Sequence, residues 1–314
     1  MVSREKPIGQ GMNLPFIDVV VPTFNRAAML DGVVSSLMAQ SYPAGRYLVT
    51  IVDDGSSDET WPVLQRMALR WDRLRPLRIA HAGKSATRNH GWREGDGEIV
   101  AFTDDDCVAD SGWLTAVARA FADHPEALGV YGKTMTVPER VTPLTHQVVV
   151  NGPNSIYPTC NIAFRRQALL DVDGFDENAN YAEDTQLAAA VLSRGPIVFS
   201  PDMIIVHPPV PRLFLDRERW IERLEGSLRL YCRYPDFFRR HRGPHFLGAV
   251  LLRWVLGSTI KEATTHLRWL IRDPALYLKF LARLINERSV LLTMLPRFWH
   301  EHRGWVKTPK SGRE

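Results

Sequence analysis

Ile99-Val100-Ala101-Phe102-Thr103-Asp104-Asp105-Asp106-Cys107 is an apolar run that ends in three consecutive carboxylates. Four core-type residues of strand length predict a buried strand, and the residues after it deliver several negative charges to its carboxyl end. Carboxylates placed that close repel one another, so keeping them together calls for a compensating cation. A hard divalent ion takes oxygen ligands and keeps positions for waters and a ligand's phosphates. The same three residues also suit a polar turn, or the acidic start of a helix before Trp113-Leu114, and the stretch alone does not separate the readings.

Upstream, Phe16-Ile17-Asp18-Val19-Val20-Val21-Pro22 is β-branched and closed by proline, which predicts a first buried parallel strand. Thr23-Phe24-Asn25-Arg26 turns into a helix over Met29 to Ala39. A second strand, Tyr47 to Val52, stops at Asp53-Asp54-Gly55-Ser56-Ser57-Asp58, where glycine permits a sharp turn and Ser57 or Asp58 can cap the next helix. Strand, helix, strand, helix at this spacing predicts a doubly wound α/β sheet, whose ligands sit beyond the carboxyl ends of the strands. Arg78-Ile79-Ala80 is a third strand candidate. After it, His81 to Trp92 opens a helix bearing Lys84 and Arg88 four apart, a basic face near a helix start that suits a phosphate or a nucleotide carbonyl. Gly83-Lys84-Ser85 is not a P-loop, because the motif's first glycine would fall at Arg78.

Downstream, a helix over Trp113 to Asp123 and a strand over Leu128 to Tyr131 are expected. Residues 133–156, with Pro138, Pro143, Gly152 and Pro153, predict a mobile or partly extended connection of the kind a substrate orders. A helix from Tyr181 to the glycine stop at Gly195 carries Glu183 and Asp184 in its first turn, where acidic residues ordinarily complement the helix dipole. A last core strand, Ile197 to Phe199, precedes an apolar run that ends at His207, a position where histidine is more often structural than a ligand.

The chain has 314 residues, 45% hydrophobic and 24% charged, enough for one large domain and a smaller appendage. Residues 1–206 hold 18 Lys+Arg against 25 Asp+Glu, whereas residues 207–314 hold 21 against 10, so an acidic part is followed by a basic one. Cys107, Cys160 and Cys232, odd in number and far apart, predict free thiols in a reducing, cytoplasmic compartment rather than a disulfide frame or a metal knuckle. Residues 1–14 suggest a disordered tail with no signal peptide.

Six ordered blocks carry a resemblance: Asp18 to Asn25, Ile51 to Thr60, Gly83 to Gly91, Phe102 to Asp106, Asn161 to Asp176, and Glu183-Asp184. Together they look like the family 2 glycosyltransferases over about residues 16–207. The resemblance implies a GT-A fold (Rossmann-like, a doubly wound mixed sheet), a nucleotide-sugar donor, a UDP-sugar foremost, Mg²⁺ or Mn²⁺, and inversion at the anomeric carbon. By the same likeness Asp106 binds the metal, with Asp104 and Asp105 near the ribose or sugar. The middle residue of the D-x-D pattern is here also Asp, which leaves open which pair does which job. Asp53 and Asp54 would meet the base, Lys84 and Arg88 the nucleotide, and Pro22, Thr23 and Asn25 its edge. His207 resembles a late histidine that completes the metal shell or touches the diphosphate. Asp184 would be the general base, with Glu183 as fallback.

From Pro211 the character changes. Leu213 to Leu230 predicts an arginine-rich helix, and Trp254, Trp269, Leu276, Tyr277, Phe280, Leu281, Trp299 and Trp305 alternate with basic residues. That pattern suits helices lying in a membrane interface, and it equally suits a helical subdomain packed on a neighbour or a second subunit. The expected division is a catalytic domain over 15–210 and a helical basic subdomain over 211–314. The expected activity is sugar transfer to a lipid-linked or cell-envelope glycan at the inner face of the plasma membrane. A silent nucleotide-sugar-binding module and a metal-dependent phosphohydrolase or nucleotidyltransferase are the alternatives. Nothing here resembles a nucleic-acid reader.

Overall fold

The computed structural model describes residues 14–153, 157–179 and 181–307, so the expected N-terminal tail lies, apart from Leu14, outside the described residues. Contacts divide the chain into two compact units that are discontinuous in sequence. Met1–Val137, Val148–Glu177 and Ala190–Pro208 form the first; Pro138–Gln147, Asn178–Ala189 and Pro209–Glu314 form the second. The expected split at 210 was contiguous. Two excursions depart from it, one because Thr145–His146 pairs with Val210–Pro211.

In chain order the first unit runs β1 (Ile17–Thr23), α1 (Leu30–Met38), β2 (Tyr47–Asp53), α2 (Thr60–Ala68), β3 (Leu74–Arg78), α3 (Lys84–Arg93), β4 (Ile99–Phe102), β5 (Val108–Ala109), α4 (Trp113–Asp123) and β6 (Gly129–Met135). After β7 (Thr145–His146) of the second unit, it continues with β8 (Ile162–Arg165) and α5 (Arg166–Val172). The helix α6 (Glu183–Leu192) begins in the second unit, and β9 (Ile197–Val206) completes the first. The strands form one eight-stranded mixed sheet in the order β3-β2-β1-β4-β8-β6-β9-β5. β1 is parallel to β2 and β4, and β2 to β3. β8 is antiparallel to β4 and β6, and β9 is parallel to β6.

The β-branched runs of β1 and β2 are buried nearly throughout, as parallel strands covered on both faces must be. α4 lies where the 3.6-residue period puts it: Trp113, Leu114, Val117 and Phe121 bury one stripe, each side chain contributing about 1.5–3 kcal/mol. Asp18 is fully buried within β1, where Arg166 Nη2 (2.6 Å) and the Gly97 amide (2.8 Å) donate to Oδ2. Asn161 ties three elements together, accepting from Trp113 Nε1 (2.9 Å) and donating to the carbonyls of Lys133 and Met203 (both 3.0 Å).

Two expectations shift. The third strand is Leu74–Arg78, ending where Arg78-Ile79-Ala80 was expected to begin; Pro76 is tolerated because β3 lies at the sheet edge. The final strand is one ten-residue strand that passes through Pro201 by a bulge: Gly132 pairs with Ser200 but Lys133 with Ile204. The described part of the expected connection, residues 133–153, is partly extended, with β6 reaching Met135 and Thr134 bridging Val150.

The second unit adds β10 (Val210–Pro211), α7 (Arg217–Arg233), α8 (Pro235–Arg242), α9 (Phe246–Val250), a π-helical turn over Leu251–Gly257, α10 (Ser258–Thr265), α11 (Trp269–Arg272) and α12 (Pro274–Lys307). α7 starts at Arg217 rather than at Leu213, because Asp216 caps it by accepting from the Arg219 amide at 3.0 Å. Its core gathers Trp220, Leu224, Leu228, Phe238, Phe246, Leu291 and Phe298. Glu287 of α12 is wholly buried, accepting from Arg283 Nε (3.2 Å), Arg212 Nη2 (3.4 Å) and the Leu215 amide (3.1 Å). Among the described residues no helix is long and apolar enough to cross a membrane.

Candidate active site at the carboxyl edge of the sheet

Because β1, β2 and β4 run one way and β6 and β9 share that direction, Thr23, Asp53, Phe102 and Val206 all end at one edge of the sheet. The turns beyond them carry the candidate residues of the first unit.

Asp53 and Asp54 are both buried. Asp53 Oδ1 accepts from the Ser56 amide at 3.0 Å, and Oδ2 lies 3.2 Å from Arg78 Nε, an ion pair too bent to be a hydrogen bond. Asp54 is taken up by the loop after β3: Oδ1 accepts from the Ala82 amide (2.8 Å), Oδ2 from the Gly83 amide (3.0 Å), and His81 Nδ1 lies 2.9 Å from Oδ2. Gly55, at φ +73°, permits this closeness, since a Cβ there would stand 2.8 Å from the His81 amide nitrogen. Asn25, left-handed at φ 52°, accepts from the Ser57 amide at 2.9 Å and donates its own amide to Ser56 Oγ at 2.8 Å. It thus holds the Asp53 turn in shape. Pro22 pairs in register with Val52 in the strand just before.

Lys84 is exposed at the start of α3, whereas Arg88, one turn on, is buried. The expected shared basic face is therefore split. Arg88 Nη2 donates to Asp104 Oδ1 at 2.8 Å, and its guanidinium lies 5.7 Å from the Phe175 ring centre. Trp92 is packed inside and donates to Asn89 Oδ1 at 3.0 Å.

The three carboxylates have three different surroundings. Asp104 pairs with Arg88. Asp105 accepts from Thr23 Oγ1 at 2.7 Å. Burial pushes its carboxyl up to about 6 against that hydrogen bond and the charge of Arg26, with Asp106 and Asp104 adding to the rise. Asp106 receives Arg26 Nη1 on Oδ2 at 3.3 Å, and its Oδ1 lies 3.6 Å from His207 Nε2. His207 Nδ1 sits 2.8 Å from the Pro208 carbonyl, which only accepts, so Nδ1 carries a proton and Nε2 is the ring nitrogen turned towards Asp106. A divalent cation fits this donor set: the cluster is short of positive charge, and Asp106 Oδ1 and His207 Nε2 offer two adjacent ligand atoms.

Glu183 and Asp184 belong to the second unit, at the start of α6. Glu183 is buried, and Asp184 Oδ1 accepts from the Thr185 amide (2.6 Å) and hydroxyl (3.1 Å). Ala182 just before them is held at φ 60°, a conformation that costs a non-glycine residue about 1–2 kcal/mol. Burial lowers the proton affinity of Arg242, and the charge of Asp184 acts against that fall.

Sequence reasoning missed several residues of this edge. Arg26 was quoted only as part of a turn. Phe24 and His81 stack at 4.4 Å with an interplanar angle of 26° on the rim. Cys107 and Cys160 are free, as expected, but they are neighbours in space beside His207. No periodicity links positions that far apart.

Residues 18–172 match the family model described as Glycosyl transferase family 2. Glycosyltransferase AglE of Haloferax volcanii is 27% identical over 208 residues, 63% of this chain and 68% of that protein. The chain spans 48% and 24% of two further curated relatives. Among solved structures, mannosyltransferase PcManGT of Pyrobaculum calidifontis, in complex with GDP-Man and Mn²⁺, is similar with a TM-score of 0.59 at 22% identity over 97% of this chain and 89% of that one. S. aureus TarS 1-349 in complex with UDP-GlcNAc is similar with a TM-score of 0.60 at 18% identity over 92% of this chain and 88% of that one. The ordered blocks, the mixed GT-A sheet and the match over residues 18–172 make this chain a family 2 glycosyltransferase.

Proposed function

We propose that the chain transfers one sugar, with inversion, from a nucleoside-diphosphate donor to a hydroxyl of a lipid-linked or cell-envelope glycan. The observation that carries this reading is the meeting of Asp106 and His207, from turns distant in sequence, 3.6 Å apart at the edge where β4 and β9 end. Asp106 and His207, with Asp104, would hold Mg²⁺ or Mn²⁺. Bound there, the ion neutralises charge on the departing diphosphate and is worth several kcal/mol of barrier. A solved relative that carries GDP-Man and Mn²⁺ supports the choice.

The chain's own groups do the remaining work. Arg26, partly exposed beside Asp106, is placed for a phosphate oxygen. Asp53 and Asp54 brace the turns that receive the nucleoside, and the Phe24–His81 stack offers its rim an aromatic face. Arg88 fixes Asp104 for the ribose or sugar. Asp184, with Glu183 as fallback, takes the acceptor's proton as it attacks. In the second unit, Leu278, Ile285 and Leu292, seven apart on α12, are exposed, as are Leu252, Leu256 and Ile271. Apolar side chains among so many arginines support contact with an anionic membrane surface.

Thermal unfolding with UDP, GDP and their sugars, with and without Mn²⁺, tests the donor reading. The expected result is a metal-dependent rise in melting temperature with at least one nucleotide, abolished in Asp106→Asn. No metal-dependent stabilisation by any nucleoside diphosphate would overturn it.

A further inference from the structure

We propose that Cys107, Cys160 and His207, joined by Asp106, form a binding site for a thiophilic dication of the Zn²⁺ class. One ligand atom from each of the first three lies within 4.8 Å of the others, and all three residues are buried. They come from three places: Cys107 from the turn after β4, Cys160 from the turn Thr159–Asn161 before β8, and His207 from the end of β9. Two thiols and an imidazole suit Zn²⁺, whereas Mg²⁺ and Mn²⁺ favour the oxygens next to them.

The geometry goes beyond proximity. The hydrogen bond from His207 Nδ1 to the Pro208 carbonyl orients the ring so that Nε2 is the ligating atom. Asp106 Oδ1 stands 3.6 Å from that nitrogen and 3.9 Å from Cys107 Sγ. Tetrahedral zinc with sulfur, nitrogen and oxygen ligands has ligand-to-ligand edges of roughly 3.3–3.8 Å. The two Asp106 separations stand within or just beyond that range, and the two thiols and the imidazole, within 4.8 Å of one another, have to draw in by no more than about 1 Å to reach it. Charge balances as well: two thiolates offset the dication, and Arg26 at 3.3 Å offsets Asp106. On binding, each thiol proton is released to solvent as its sulfur joins the metal, and no oxidant is required. A consequence, which rests on the donor reading above, is that zinc takes Asp106 and His207 away from Mg²⁺ or Mn²⁺ and arrests turnover.

Titration of the full, phosphine-reduced and metal-free chain with Cd²⁺, read by the thiolate-to-cadmium charge-transfer absorption, tests the site without reference to activity. One equivalent is expected to saturate the band, and Zn²⁺ to displace it. Cys160→Ala should abolish the band, Cys232→Ser in the second unit should leave it intact, and His207→Gln should weaken binding by about 10–100-fold. Circular dichroism of each variant identifies any that fail to fold, and the His207→Gln and Cys232→Ser arms then carry the test. Absence of a band in the folded wild-type chain, or a band that survives Cys160→Ala, would overturn the proposal. If the donor reading fails but the band behaves as expected, the site stands. In an active enzyme, zinc should inhibit the wild type and not Cys160→Ala.

Discussion

Asp106 in the first unit and Glu287 in the second are both carboxylates withdrawn from water, yet their partners differ. Asp106 meets one partly exposed arginine, an imidazole and a thiol. Glu287 is ringed by Arg212, Arg283 and Arg288 together with a backbone amide. A carboxylate saturated by guanidinium groups has no attraction left for a metal and serves to lock helices together. One that meets a single, partly exposed guanidinium keeps more of its negative charge available. The contrast teaches that burial alone does not mark a functional acid; the count of positive charges around it does.

The comparison can be broken at three points. The largest effect is expected at Asp184, whose own contacts include the Thr185 amide. Asp184→Asn should lower turnover by about 10²–10⁴ while leaving nucleotide affinity unchanged, measured by initial rates beside calorimetric donor binding. Turnover that survives the change would move the base elsewhere. Next, Glu287→Gln strips the charge from a site that three arginines surround and should destabilise the chain by about 3–5 kcal/mol in denaturant unfolding, with no direct effect on donor affinity. A loss below about 1 kcal/mol would mean that the arginines find water, and the contrast with Asp106 would weaken. The smallest effect concerns the surface. Leu252→Ser with Leu256→Ser should reduce binding to phosphatidylserine vesicles by about tenfold in flotation, because two exposed apolar groups lose their burial in the interface. A wild-type chain that ignores such vesicles would remove the membrane from the account.

The sheet was legible because its strands announce themselves. Val19-Val20-Val21 and Ile99 to Phe102 are apolar runs ended by polar turns, and α4 shows its stripe without ambiguity. What escaped was whatever depends on distance along the chain. Arg88 and Lys84 share a helix spacing but not an environment, since Asp104 draws one of them inward. Asp54 also accepts from the amides of Ala82 and Gly83, a partnership that only the fold brings about. The neighbourhood of Cys107, Cys160 and His207 has no local signature, because the three residues arrive from turns and strand ends far apart in sequence. The third strand slipped because Pro76 counts against a strand in sequence, and only its edge position makes it acceptable.

The bulge in β9 has a further consequence. Between Ser200 and Ile204 the strand gains three residues while its partner β6 advances by one. Side chains alternate with a period of two, so an odd surplus inverts which way every later residue looks. His207 therefore owes its direction to the parity of that insertion. Removing one residue from Pro201-Asp202-Met203 should turn the imidazole away from Asp106, whereas removing two should preserve its aim, so tolerated changes in length at this point come in pairs.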